Sequence, residues 1–139
     1  METVVYVAGG ALVVGVVIAY IVHKHKKTKL HRSQLLEECF GKPMQTNRFS
    51  VSEVRDWIRV RENLLKDDSC KAAVLKANEN VLKSVGTQLD IGTGLENFMI
   101  LVIIDGNSKI IESTLVKYDE LDKDLKNLLG EQGIVVIEK

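Results

Sequence analysis

Between Thr3 and Val22 the chain carries no charged side chain, and its only polar groups are the Thr3 hydroxyl and the phenols of Tyr6 and Tyr20. A stretch of about 20 residues rising 1.5 Å per residue matches the hydrocarbon thickness of a bilayer. Its many valines disfavour helix in water, but in lipid the backbone must satisfy its own hydrogen bonds. Residues 3–22 are therefore predicted to form one transmembrane helix, with Tyr6 and Tyr20 near its ends. The charges follow the span instead of preceding it, and Met1-Glu2 provides no basic leader, so a retained anchor is favoured over a cleaved signal peptide. Ala11, Gly15 and Ala19 repeat at four-residue spacing, a pattern that lets two membrane helices pack closely.

The pattern changes at His23. Lys24, Lys26, Lys27, Lys29 and Arg32 form a basic collar with no acid among them. Basic flanks stay cytoplasmic, which predicts residues 1–2 outside the cell membrane and residues 23–139 on its cytosolic side. Side chains of this kind contact anionic lipid headgroups, making the bilayer an expected partner. His23, His25 and His31 share the collar, but the adjacent positive charges oppose a divalent cation and no carboxylate supports the rings. Residues 28–40 can continue as a helix, with Leu35, Leu36 and Phe40 as a partial stripe, until Gly41-Lys42-Pro43 stops it. Residues 23–43 thus read as collar and linker, and 44–139 as a cytosolic domain opening on a polar connector, Gln45 to Arg48.

Within that domain, Ser50-Val51-Ser52-Glu53 has the form of a capping box. Val51, Val54, Trp57, Ile58, Leu64 and Leu65 then share one broad helical face as far as about Leu65. Residues 69–89 fit either one long helix or a strand over 72–77 followed by a helix from about Glu79 to Leu89. The Asn78-Glu79-Asn80 break favours the second. Phe98 to Ile104 is an unbroken run of β-favouring side chains, Asp105-Gly106-Asn107-Ser108 is a turn, and 109–117 returns as a strand. Tyr118, Leu121, Leu125, Leu128 and Leu129 mark a helix capped by Asp119 and closed by Gly130, and Ile134 to Ile137 forms a last strand. The order βαββαβ predicts a ferredoxin-like α+β sandwich with an extra leading helix. In that topology 98–104 is an edge strand, yet Phe98, Ile100 and Val102 point to one face and Met99, Leu101 and Ile103 to the other. Two apolar faces need two covers, so Phe98, Ile100 and Val102 become a candidate partner surface.

Composition narrows the chemistry. From Ser33 onward 14 basic residues face 18 acidic ones, a net charge of about −4, which argues against a nucleic-acid partner. The domain has no histidine, and Cys39 and Cys70 stand far apart in no CxxC context, which points to free thiols. Asp119, Glu120, Asp122 and Asp124 belong to a helix start, and Gly92-Thr93-Gly94 lacks the lysine of a phosphate loop. No catalytic residue, metal or cofactor is expected. The expected function is a membrane-anchored interaction or assembly module that binds an unidentified cytosolic protein or self-associates through its membrane helix or sheet. A membrane-tethered small-molecule sensor is the alternative.

Overall fold

A computed structural model describes residues 5–8, 16, 17, 19, 20, 30, 31, 37, 40–67, 69–76, 91, 92, 97–130 and 133–138. In chain order the strands are β1 (Val5–Ala8), β2 (Leu30–His31), β3 (Met44–Phe49), β4 (Lys71–Lys76), β5 (Ile91–Gly92), β6 (Phe98–Ile104), β7 (Ile110–Leu121) and β8 (Ile134–Glu138). Helix α1 (Val51–Val60) follows β3, and α2 (Lys123–Leu129) joins β7 to β8. Six strands form one sheet in the order β1-β8-β4-β6-β7-β3, while β2 and β5 make a separate parallel pair.

The centre of the sheet is where the sequence is most apolar. All seven residues of β6 are buried, and β6 is hydrogen-bonded antiparallel to β4 on one side and to β7 on the other. Its even-numbered side chains join Ala73, Leu75, Leu115, Ile134 and Val136 on one face. Met99, Leu101 and Ile103 face α1 and α2 through Val54, Trp57, Ile58, Leu125 and Leu129. Alternation of side chains across a strand makes a run apolar at every position suited to a layer between two covers.

This arrangement corrects the ferredoxin-like expectation. A split βαβ unit needs a strand inserted between the two strands of each unit, whereas β4 and β6 are adjacent and antiparallel. At a sheet edge, β6 would have left backbone groups and two apolar faces open together. In the centre both are satisfied.

The predicted transmembrane helix is corrected as well. Val5–Ala8 pairs antiparallel with β8, from Val5 opposite Glu138 to Ala8 opposite Val135, as an edge strand. Val16, Val17, Ala19 and Tyr20 are helical, and Val17 is completely buried against the β6 face remote from α1. Tyr20 stacks on Phe40 with ring centroids 5.5 Å apart, and Phe40 is buried on that same face. Val16, Val17 and Tyr20 of the uncharged segment thus pack on the second side of the sheet. Apolar length alone does not distinguish this from a lipid span, because both environments reward the same side chains. Among the described residues no helix is long and apolar enough to cross a membrane. What remains of the sequence reading is its coarser part, a small sheet-rich α+β domain.

Local rules account for most element ends. Ser50 caps α1, its Oγ accepting from the Glu53 N–H at 3.4 Å. Glu53 does not close the reciprocal box; its Oε1 instead accepts from Thr46 Oγ1 of β3 at 3.2 Å. The helix ends at Val60, and a 3₁₀ turn at Leu64–Lys66 carries the apolar stripe to the buried Leu65. Strand β7 runs on to Leu121, so Asp122, not Asp119, caps α2. Asp122 also receives Arg48 at 3.1 Å, while its N–H donates to the Phe49 carbonyl at 2.9 Å. In the β6–β7 turn, Asp105 Oδ1 accepts from the N–H groups of Asn107 and Lys109, each at 2.9 Å. A Cβ at Gly106 would lie 2.9 Å from Ser69, so that close approach requires glycine.

Candidate interaction surface

Strand β7 is 12 residues long, but β3 covers only its second half, from Met44 opposite Val116 to Phe49 opposite Leu121. Among the described residues no strand pairs with the outer edge of Ile110–Leu115. The direction of its backbone groups follows from the ladder with β6. The Tyr118 N–H donates to the Asn97 carbonyl at 3.1 Å, and strict alternation then turns the N–H and C=O groups of Val116, Thr114 and Glu112 towards β6. Those of Ser113 and Leu115 point away from β6; the pairing of Met44 with Val116 gives the Leu115 carbonyl to the Met44 N–H, leaving both Ser113 groups and the Leu115 N–H along the open edge. Ile104 pairs with Ile110 and Ile103 with Glu112, which leaves Ile111 as the extra residue of a bulge.

The C-terminal half of α1 lies over this stretch and is fixed there by polar contacts. Trp57 Nε1 donates to Thr114 Oγ1 at 2.9 Å. The Arg61 guanidinium sits 4.3 Å from the Trp57 ring centroid and donates from Nη1 to the Trp57 carbonyl at 3.1 Å. Its Nε is 3.8 Å from Glu112 Oε2, so the one acidic side chain of the half-edge is paired within the chain. Two of the large apolar side chains left in solvent lie on strands along this stretch. Ile111 is 43% exposed within the half-edge, and Met44, opposite Val116 at its end, is 47% exposed. Val60 is 79% and Leu64 37% exposed, flanking Arg61 in sequence. These four are the exposed large hydrophobics among the described residues. A long edge with open backbone groups and an apolar rim can accept another strand.

Concavities occur elsewhere among the described residues. A groove of about 630 Å³ between the starts of α1 and α2 is lined by Ser50, Ser52, Arg55, Asp122, Asp124 and Asn127, with Val51 and Leu128 beneath. A cavity of about 150 Å³ lies under the β6–β7 turn, bounded by Val16, Ser69, Lys71, Ile104, Asp105, Gly106 and Ser108. Beside it, Asp67 accepts from the Ser69 N–H at 2.9 Å and the Ser69 hydroxyl at 2.7 Å. Both bonds favour the carboxylate and hold the Asp67 pKa below its ordinary 3.8.

The residues singled out from sequence are dispersed. Phe98, Ile100 and Val102 lie in the middle of the sheet, buried beneath the chain's own Val17 and Phe40. Ala19 is helical and exposed, whereas Ala11 and Gly15 fall outside the described residues. So do Lys24, Lys26, Lys27, Lys29 and Arg32, most of the 28–40 linker and the helix expected over 79–89. Cys70 is a half-buried free thiol, and among the described residues no cluster of His, Cys, Asp and Glu is placed to hold a metal. The surface around β7 was missed. Its one sequence signal is the Ile110-Ile111 doublet, which breaks the two-residue alternation where the bulge forms.

No family model matches the chain, and neither curated proteins nor solved structures give a significant match to it.

Proposed function

We propose that this protein is an interaction module that takes up an extended segment of a partner as an added strand along Ile110–Leu115. One observation carries the reading: among the described residues the first half of β7 has no strand on its outer edge, and it holds the exposed Ile111 and ends opposite the exposed Met44. In strand addition the backbone supplies hydrogen bonds and flanking side chains supply selectivity. Both Ser113 groups and the Leu115 N–H offer the backbone bonds here; Ile111, Met44, Val60 and Leu64 offer the apolar contacts. NMR titration with short peptides of alternating apolar and polar residues tests this. Shifts should concentrate at the Ser113 and Leu115 amides and the Ile111, Val60 and Leu64 methyls, and Ser113→Pro should abolish them. Peptide binding that leaves those resonances still would contradict the reading.

The basic collar adds a second contact to this proposal. Its five cations would hold the module on anionic lipid at about 1 kcal/mol for each Lys or Arg near the surface. Cosedimentation with anionic vesicles should fall as salt rises, and should be lost when the five are replaced by glutamine.

The groove between α1 and α2 favours a second reading, a regulatory domain for a small polar ligand, since Arg55 and Asp124 present both charges to it. Thermal shift across a panel of zwitterionic metabolites tests that reading. It requires stabilisation that Arg55→Ala removes.

A further inference from the structure

We infer that the strand added to β7 is the C-terminal tail of a partner protein, running parallel to β7 and ending opposite Thr114 with its carboxylate on the Leu115 N–H. This rests on the reading of Ile110–Leu115 as a docking edge and names the kind of segment that fits it.

The β3–β7 register fixes what the open half can bind. Met44, opposite Val116, takes the Leu115 carbonyl with its N–H and gives its own carbonyl to the Lys117 N–H. A parallel strand lying upstream of Met44 on the same line repeats that pattern two residues earlier along β7. Its residue opposite Thr114 donates to the Ser113 carbonyl and accepts from the Leu115 N–H. Its residue opposite Glu112 accepts from the Ser113 N–H. Every open group is then used. An antiparallel strand reaches the same groups, but the residue it sets opposite Leu115 turns an N–H onto the carbonyl that Met44 already holds.

The line stops at Met44. The chain bends at Lys42 and enters β3 at Met44, so an added strand that reaches Leu115 meets the protein's own backbone. An internal segment would have to leave the sheet abruptly there, whereas a chain terminus ends in place. The charges at the stop select which terminus. Lys42 and Lys117 lie within two residues of the Met44–Leu115 bond, both are exposed, and neither makes an ion pair among the described residues. Glu112 lies further back along β7 and is paired with Arg61 at 3.8 Å. Two lysines attract a carboxylate and repel an ammonium. A parallel strand brings its carboxylate to that end, an antiparallel one its ammonium. The result is carboxylate capture joined to strand addition. The tail's last side chain shares the face of Thr114, towards Trp57, so an apolar residue suits it.

The test titrates the full chain with an acetylated hexapeptide alternating threonine and valine and ending in valine, as the free acid and as the C-terminal amide. NMR shifts at the Ser113 and Leu115 amides report binding. Amidation should raise the dissociation constant at least about tenfold, since it removes the charged acceptor. Replacing Lys42 and Lys117 together by glutamine should raise that of the acid about fivefold and leave that of the amide unchanged. A nitroxide carried in place of the acetyl group should broaden the Ile111 methyl signals more than the Met44 methyl signal. Equal affinity of acid and amide at Ser113 and Leu115, or stronger broadening at Met44, overturns the inference while strand addition stands. If neither peptide moves those amides, both readings fall.

Discussion

Replacing Thr114 by valine should loosen α1 from β7 and thereby disturb the rim formed by Val60 and Leu64. Valine keeps the branched shape and the β preference of threonine, so the change isolates the hydroxyl that accepts from Trp57 Nε1 at 2.9 Å. A neutral hydrogen bond contributes about 1 kcal/mol net, and an indole N–H left without an acceptor in a nearly buried site costs about 1–3 kcal/mol. Trp57 is largely but not wholly buried, which favours the lower end, near 1 kcal/mol. With a urea m-value of about 1.5 kcal/mol/M, that moves the unfolding midpoint by roughly 0.7 M. Trp57 is the only tryptophan, so its emission reports on the same contact and should shift on substitution. Trp57→Phe and the double variant, followed by circular dichroism, complete the cycle. Their coupling energy should be about 1 kcal/mol, since the two groups meet directly. A Thr114→Val midpoint within about 0.1 M of the parent, with unchanged emission, would refute the role given to this bond.

Three further outcomes follow from the packing and the electrostatics. Val17→Ala should destabilise the fold by about 1–2 kcal/mol, because Val17 is fully buried on the sheet and loses two methyl groups' worth of apolar surface; Val17→Asp should cost more. Both are read by chemical denaturation, and no loss of stability in either would mean that the segment does not cover the sheet. Leu101→Ala, at the centre of β6 facing both helices, should cost about 3 kcal/mol by the same measurement. Asp67 has a folded pKa below its unfolded one, so its contribution is present above the ordinary 3.8 and is lost as pH falls through the depressed value. Carbonyl NMR should show this titration, and Ser69→Ala should move it back towards 3.8, since the hydroxyl bond is one of its two main causes.

Local structure was well written in the sequence. The β6–β7 hairpin follows from a continuous β-favouring run interrupted by Asp-Gly-Asn-Ser, and the Ser50 cap from its spacing to Glu53. Strand β4 at Lys71–Lys76 agrees with the choice of a strand over one long helix for this stretch. The polar Gln45 to Arg48 stretch, expected as a connector, is strand β3. An edge strand held by backbone pairing to β7 needs little apolar alternation, so no side-chain pattern announced it.

Strand order was not legible, because periodicity describes which faces a segment buries and not which neighbour it pairs with. The same gap explains the correction at the N-terminus. The valines of residues 4–7, set aside as tolerable in a lipid helix, suit the strand that Val5–Ala8 forms. The docking edge was hidden for a related reason. It is defined by where β3 stops along β7, and β3 itself was unseen.

Hydrogen exchange at single β7 amides in dilute solution tests the open edge most directly. Thr114 and Val116, bonded to β6, should be protected. Ser113 and Leu115 should exchange like free amides. Protection of Ser113 and Leu115 already in the dilute monomer would mean that the chain fills its own edge, and the account would be wrong.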